Sequence, residues 1–165
     1  MRARGVRVTT DALLVRRVAF GEADVVATFF TEARGVVATV ARGARRSSKR
    51  YAALEPVHLL RVTFEERPGA ELAPLVDAAI ARPRVGAAQS LDALDAAGVA
   101  LRWVRKALPP HTAEPSVWHD LGALLDALDR GAARPRARAA GFGLRLLSDL
   151  GWGLELERCA TCGKP

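Results

Sequence analysis

The only two cysteines of the chain, Cys159 and Cys162, form a Cys-x-x-Cys pair that is followed by glycine. Such a turn supplies half of a tetrahedral zinc site, because both sulfurs and the neighbouring backbone amides can face one metal ion. A complete structural site needs four ligands, and the three histidines lie far from this pair in the sequence. The spacing therefore predicts half of a Zn²⁺ site. A free dithiol, a zinc ion shared between two chains, and a chain truncated at Pro165 remain open.

A second group of side chains is suited to binding a polyanion. Five basic residues and one aromatic residue occupy the segment 42–51, which contains no acid: Arg42, Arg45, Arg46, Lys49, Arg50 and Tyr51. Five charges without local partners cannot be buried, so the segment predicts an exposed basic loop. Such a loop favours a partner with repeated negative charge, such as a nucleic acid. The alternative is a solvated surface turn without a partner.

Aromatic side chains and further arginines would complete such a surface. Tyr51 adjoins the basic cluster and is the candidate for stacking on a base. The alternative for Tyr51 is a core residue at the start of a strand, with its hydroxyl in water. The consecutive residues Phe29 and Phe30 point to opposite faces of a strand, so one belongs to the core and the other lies under the helices or on a binding face. Weaker cations would extend the surface: Arg2, Arg4, Arg16, Arg17 and Arg34.

The net charge is unevenly distributed along the chain. The 165 residues carry a formal charge of +7, and residues 1–51 alone contain eleven Lys or Arg against four Asp or Glu. The remaining residues contain fourteen of each kind. A basic part joined to a neutral part indicates that the two parts have different tasks.

The alternation of apolar and polar residues predicts five strands in the first half of the chain, at about 6–15, 24–31, 35–41, 57–65 and 72–80. Short strands with β-branched residues and glycine turns are typical of a small closed barrel, which leaves no exposed edges. The basic loop falls between the third and fourth strands. We therefore expect the barrel to present this loop to solvent.

From about residue 84 the apolar period becomes helical. One helix begins near Ser90 and stops at Pro109, an apolar stripe over 117–128 ends at Gly131, and a third helix runs from Pro135 to Gly151. The three tryptophans are expected in the helical core or at its seam with the barrel: Trp103, Trp118 and Trp152. The predicted fold class is α+β, with a barrel domain over 1–82, a helical domain over 83–158 and the start of an incomplete zinc knuckle over 159–165.

Motifs for catalysis are absent from the sequence. It contains no phosphate-binding Gly-x-x-x-x-Gly-Lys-Ser/Thr loop, no Gly-x-Ser-x-Gly elbow and no His-Glu-x-x-His pair, so we do not expect an enzyme. A redox role for the cysteine pair is not expected either, because no strand leads into it and no helix follows it. No apolar run reaches the length of a membrane span or forms a signal-peptide core, which predicts a cytoplasmic protein.

The order of these features resembles the RecO family of bacterial recombination mediators. The similarity extends over essentially the whole chain. It rests on the segments Phe20-Gly-Glu-Ala-Asp24, Phe30-Thr-Glu-Ala-Arg-Gly35, Val40-Ala-Arg-Gly-Ala-Arg-Arg46, Leu54-Glu-Pro56, Leu144-Arg-Leu-Leu-Ser-Asp-Leu-Gly151 and Glu157-Arg-Cys159-x-x-Cys162-Gly.

The resemblance implies an OB-fold domain followed by a helical domain, acting in recombinational DNA repair at the nucleoid. RecO-like proteins bind single- and double-stranded DNA, anneal complementary strands, and help to load RecA onto strands coated by single-strand-binding protein. They work with RecR and contact the acidic tail of the single-strand-binding protein. Cys159 and Cys162 match the first ligand pair of the family's zinc site, and the second pair is not in this chain.

Two other functions compete with this one. The chain would act as an adaptor if its neutral helical half bound RecR or the acidic tail of single-strand-binding protein. Arg102, Arg105 and Lys106 would then pair with the tail, although cations at a helix end also favour the helix dipole without any partner. A general RNA-binding barrel is the third possibility, because charge alone does not distinguish RNA from DNA.

Overall fold

In the computed structural model, the described residues are 5–46, 51–67, 69–153, 158–159 and 161–164. Five strands come first, with these bounds: β1 Val6–Phe20, β2 Asp24–Thr31, β3 Gly35–Ala41, β4 Leu59–Glu66 and β5 Ala73–Arg82. They form a closed barrel in the order β1-β2-β3-β5-β4, in which β3 and β5 pair in parallel and the other pairs are antiparallel. Helices follow the strands. The predicted α+β class, with a five-stranded barrel and then a helical part, is confirmed.

The first strand closes the barrel because it pairs on both sides. Its first half pairs with β4 and its second half with β2, and the register shifts between Leu14 and Arg16. Bulges of this kind bend a strand and increase its twist, which lets one strand belong to two sheets. The strand is therefore longer than the sequence pattern predicts and extends to Phe20.

The sheet that forms the barrel has an apolar core on each of its two faces. One fills the barrel and contains Phe29, Leu60 and Phe64. The other lies between the barrel and the helices and contains Phe30. The rings of Phe30 and Trp118 meet edge to face, with 5.6 Å between their centroids. The prediction that Phe29 and Phe30 face opposite sides of a strand is confirmed.

Over the described residues 83–153, the helical part contains four α-helices: α1 Val85–Gln89, α2 Leu91–Ala107, α3 Pro115–Asp129 and α4 Pro135–Leu147. The side chain of Ser90 accepts a hydrogen bond from the amide of Ala93, so it caps α2 as its position in the sequence predicts. The short helix α1 was not predicted. A short π-type segment over Ser148–Trp152 follows α4, and it is interrupted at Gly151, whose φ of 83° is not helical. The helical run therefore ends at the glycine that the sequence pattern predicts.

The tryptophans do not all lie in the core. Trp118 packs at the seam with the barrel, as predicted. Trp152 is 75% exposed, so the prediction of a core or seam position is wrong for this residue. Trp103 is 37% exposed and lies against α4, where a Cβ on Gly143 would approach its ring to 2.5 Å.

A buried arginine joins the barrel to the helices. Arg84 is 1% exposed, and its Nε donates to Asp126 Oδ1 at 2.7 Å while its Nη1 donates to the carbonyl of Val57 at 2.7 Å. The backbone amide of Arg84 donates to His58 Nδ1 at 2.9 Å. Burial lowers the pKa of Arg84, and the carboxylate of Asp126 opposes this shift. The junction is thereby fixed by hydrogen bonds as well as by apolar packing.

Candidate nucleic-acid interface

The first part of the basic loop is held against the turn between β1 and β2. The amide of Gly43 donates to Asp24 Oδ1 at 2.8 Å, and the amide of Arg45 donates to the carbonyl of Ala23 at 2.9 Å. Ala44 is buried between these two contacts. The backbone of the loop is therefore anchored to the barrel, and its charged side chains are directed to solvent.

The arginines of this part of the loop carry charge that is little compensated. Arg42, Arg45 and Arg46 are exposed. Arg45 Nη1 donates to the carbonyl of Gly21 at 3.1 Å, a neutral partner. Arg46 lies 3.9 Å from Glu22, and both side chains of this pair are largely in water, so the pair is weak. Lys49 and Arg50, like Arg2 and Arg4, lie outside the described residues.

Tyr51 does not face the solvent. It is 4% exposed within the barrel core, and its hydroxyl donates to the carbonyl of Leu75 at 3.0 Å. The structure therefore corrects the expectation that Tyr51 stacks on a base, and the alternative of a core residue is right. Its hydroxyl is bonded to the protein rather than to water. Tyr51 anchors the loop from the other side, together with the buried Leu54.

An exposed aromatic side chain stands beside the loop in place of Tyr51. Phe20 is 54% exposed and immediately precedes the turn to which Arg45 is bonded. After the bulge, Arg16, Val18 and Phe20 alternate along β1 and so share one face, and all three are exposed. The signal for Phe20 in the sequence is weak, because the run from Ala12 to Val15 shows no alternation and only Val18 and Phe20 are spaced two apart before the glycine turn.

Two of the predicted cations serve the fold. Arg17 Nη1 donates to the carbonyl of Leu54 at 3.2 Å and so ties β1 to the end of the loop. Arg34 lies in the turn after β2, at the opposite end of that strand from Asp24, and pairs with Glu66 at 2.9 Å. A strand of this length spans roughly 23 Å, at about 3.3 Å per residue. The structure therefore separates Arg34 from the loop and places Arg16 on the same face of β1 as Phe20.

The turn that carries the cysteine pair is closed by backbone hydrogen bonds. The amide of Cys159 donates to the carbonyl of Lys164 at 2.7 Å, and the amide of Gly163 donates back to Cys159 at 2.8 Å, with Gly163 at φ 69°. The backbone amides of Cys162 and Thr161 lower the pKa of the Cys159 thiol by hydrogen bonding to its sulfur. Thiolate is the form that binds zinc. Within the described residues, no group of three or more His, Cys, Asp or Glu side chains gathers into a complete site.

An apolar groove lies between α2 and α4. Its volume is about 570 Å³, and its lining includes Trp103, Lys106, Leu144 and Leu147. Leu144 is 52% exposed and Leu147 45%, so the groove is open. Lys106 brings one of the three predicted tail-binding cations to the groove.

None of the helices in the described part of the chain has both the length and the apolar character that crossing a bilayer requires.

Comparison with known proteins supports the division seen in the fold. The family model for the N-terminal part of recombination protein O matches residues 1–84, and the model for its C-terminal part matches residues 88–165. The DNA repair protein RecO of Anaeromyxobacter sp. (strain K) is 38% identical over 160 residues, which are 96% of this chain and 63% of the relative.

Two other organisms have similar proteins. The DNA repair protein RecO of Geobacter sulfurreducens is 36% identical over 93% of this chain and 62% of its own length. That of Rubrobacter xylanophilus is 33% identical over 92% of this chain and 60% of its own length. The chain thus spans somewhat less than two thirds of the curated relatives that it matches.

Proposed function

The chain belongs to the RecO family of DNA repair proteins, and from this premise we propose that its barrel binds DNA without sequence preference and promotes pairing of complementary strands. The observation that carries the proposal is the exposed row of Arg42, Arg45 and Arg46 on a backbone anchored to the β1–β2 turn. Guanidinium groups there would contact phosphates, which fixes a strand in place without reading its bases.

A base-stacking contact complements the phosphate contacts. Phe20 lies next to the turn that Arg45 contacts, and the residue is 54% exposed. Stacking on a phenylalanine tolerates any base, because every base has a π-face. Arg16 and Val18 lie on the same face of β1 as Phe20. A bound DNA strand can therefore run from the basic loop along the direction of β1.

Strand annealing follows from this type of contact. Two complementary strands repel each other through their phosphates, and a cationic surface lowers that repulsion. Contacts made to phosphates leave base edges free to pair. Double-stranded DNA is bound through the same phosphates. Help in loading RecA onto coated strands, together with RecR, is part of the same proposal and rests on the family.

The decisive experiment is the salt dependence of binding to a fluorescent single-stranded oligonucleotide. We expect the change of Arg45, Arg46, Lys49 and Arg50 to Ala to reduce the slope of log affinity against log salt by about two to three units, since each lost phosphate contact on a single strand removes about 0.7. The control is the change to Ala of four arginines that already face carboxylates: Arg7, Arg61, Arg67 and Arg145. A loop variant with the wild-type slope would refute the assignment.

A second function is favoured by the groove between α2 and α4. We infer that it receives the acidic tail of single-strand-binding protein, with an apolar side chain of the tail against Trp103 and Leu144, and a tail carboxylate near Lys106. Among the described residues, no ion pair involves Arg102. Arg102 and Arg105, on the same helix as Lys106, would add attraction.

The tail proposal is tested by titrating the tail peptide against Leu144→Asp. We expect at least a tenfold loss of affinity, because a carboxylate in the groove repels the peptide and removes apolar contact. Leu91→Asp is the matched control, since Leu91 is 86% exposed at the start of α2 and outside the groove. Equal affinity of the two variants would exclude the groove as the tail site.

Zinc is the cofactor that the cysteine turn fits. We propose that Cys159 and Cys162 provide two of its four ligands, and that the ion would stabilise the local fold without taking part in a reaction. Zinc bound by the wild-type chain should be lost from Cys159→Ser and from Cys162→Ser. Retention of zinc by both variants would show that the metal is held elsewhere.

A further inference from the structure

The turn between α3 and α4 carries a second concentration of positive charge. The segment 130–138 contains four arginines and no acid, and all four are exposed: Arg130, Arg134, Arg136 and Arg138. The neutral total of the helical half conceals this cluster, because the segment itself contains no acid. We call this segment the arginine turn.

Most of the charge on the arginine turn has no carboxylate partner. Arg136 Nε lies 3.3 Å from Asp95 Oδ2. Among the described residues, no ion pair involves Arg130, Arg134 or Arg138. The side chain of Arg138 donates to a neutral group, the carbonyl of Ala133, at 3.1 Å. Three positive charges are therefore available to a ligand.

The backbone of the arginine turn is held in one conformation. The amide of Gly131, at φ 73°, donates to the carbonyl of Leu128, and the amide of Ala132 donates to the carbonyl of Ala127, which ends α3. Pro135 then occupies the start of α4. The arginines thus extend from a fixed frame, so less conformational entropy is lost when they bind a ligand.

The arginine turn is also docked on the rest of the molecule. The amide of Ala87 donates to Asp129 Oδ1 at 3.2 Å. A Cβ on Gly86 would approach the carbonyl oxygen of Asp129 to 2.2 Å, so α1 and the end of α3 are in close contact. Arg82, at the end of β5, contacts Asp126 of α3. The turn therefore keeps its position relative to the barrel.

The placement of these cations opposes the stability of α4. Arg136 and Arg138 lie in the first turn of α4, where the helix dipole disfavours positive charge, and no acid is present there. Helix α2 has the opposite and favourable arrangement, with Asp92 in its first turn and basic residues in its last. Stability of the fold therefore does not account for the arginine turn, whereas binding of an anion does.

We propose that the arginine turn is a second phosphate-binding surface for a nucleic-acid backbone, distinct from the basic loop of the barrel. The inference deepens the proposed DNA-binding function and rests on it for the identity of the polyanion. Guanidinium groups match the geometry of phosphate oxygens. The segment contains only arginine, alanine, glycine and proline, so it offers no large apolar side chain on which a protein partner would be anchored.

The two surfaces are well separated. Leu75 of β5 accepts the hydroxyl of Tyr51 at the end of the basic loop, and Arg82 of the same strand contacts α3 near the arginine turn. The part of β5 between them spans roughly 23 Å, at about 3.3 Å per residue. One molecule therefore has room for two separate segments of nucleic acid, which pairing of two strands requires.

The test changes Arg130, Arg134 and Arg138 to Gln, which removes the charge and leaves a shorter polar side chain. We expect the salt slope for a single-stranded oligonucleotide to fall by about two units, from three lost contacts at about 0.7 each. Changing the same residues to Lys should preserve the slope. The control changes Arg7, Arg61 and Arg145 to Gln, which alters the net charge equally at arginines that face carboxylates.

The loop variant is the protein in which Arg45, Arg46, Lys49 and Arg50 are changed to Ala. Adding the three Gln substitutions to this variant separates the inference from the proposed function. We expect the loop variant to retain weaker, salt-dependent binding that the three Gln substitutions abolish. A slope unchanged by these substitutions in both backgrounds would overturn the inference and leave the barrel proposal standing. A normal slope for the loop variant with a reduced slope for the Gln variant would reject the barrel site and support the arginine turn. A reduction of the salt slope equal to that of the control variant would also overturn the inference. So would a ligand at the arginine turn that polyglutamate displaces and unlabelled DNA does not.

Discussion

At the scale of single residues, two aromatic side chains near the basic loop have opposite environments. Tyr51 is buried and bonded to Leu75, and Phe20 is half exposed beside the turn that holds Arg45. The sequence did not distinguish them, because adjacency to a charge cluster says nothing about the face on which a ring lies. Burial of Tyr51 depends on the path of the loop over the barrel, which no local pattern records.

The two rings give a paired prediction. Phe20→Ala should weaken single-stranded DNA binding by about 1–3 kcal/mol, the range for loss of one stacked base. Tyr51→Phe should leave DNA binding unchanged and lower the free energy of unfolding by about 1 kcal/mol, because the carbonyl of Leu75 loses its donor. Anisotropy titration and urea unfolding of both variants measure these effects. Loss of binding in Tyr51→Phe alone would reverse the assignment.

At the scale of secondary-structure elements, the strands were predictable and the bulge in β1 was not. Residues Ala12, Leu13, Leu14 and Val15 are all buried, so their run shows no alternation in the sequence. Ala12 and Leu14 belong to the barrel core, whereas Leu13 and Val15 belong to the core shared with the helices. Because this part of β1 is covered on both faces, apolar residues occupy both sides of the strand and the alternation of apolar and polar residues is lost. This happens where the strand bends from one sheet into the other.

The junction between β5 and the helices was also not predictable. Arg84 follows Pro83 in a segment that reads as a linker, and its burial comes from Asp126, which is distant in sequence. Asp126→Leu should destabilise the fold by about 3 kcal/mol, because it leaves a buried guanidinium without its carboxylate.

A double variant provides the control for the junction. Arg84→Met combined with Asp126→Leu should be less destabilised than Asp126→Leu alone, since the uncompensated charge is then absent. Urea unfolding followed by circular dichroism measures both. If Asp126→Leu unfolds at the wild-type urea concentration, the pair does not hold the barrel to the helices.

At the scale of the whole molecule, the charge balance predicted a basic barrel and a neutral helical half. The first expectation agrees with the exposed arginines of the loop. The second is true only as a sum, because the turn between α3 and α4 contains four arginines and no acid, and Asp95 pairs with one of them. The position of charge in space, and not its total, decides which surface can meet a phosphate backbone.

We propose that a bound DNA strand lies over the end of the barrel where β1 meets β2. A photoreactive benzoylphenylalanine placed at position 20 and, separately, at position 6 tests it directly, because Phe20 and Val6 stand at the two ends of β1 and are 54% and 65% exposed. We predict that irradiation with single-stranded DNA cross-links the protein labelled at position 20, less efficiently as salt rises, and far less the protein labelled at position 6. Equal cross-linking at both positions, or none at position 20, would contradict the account.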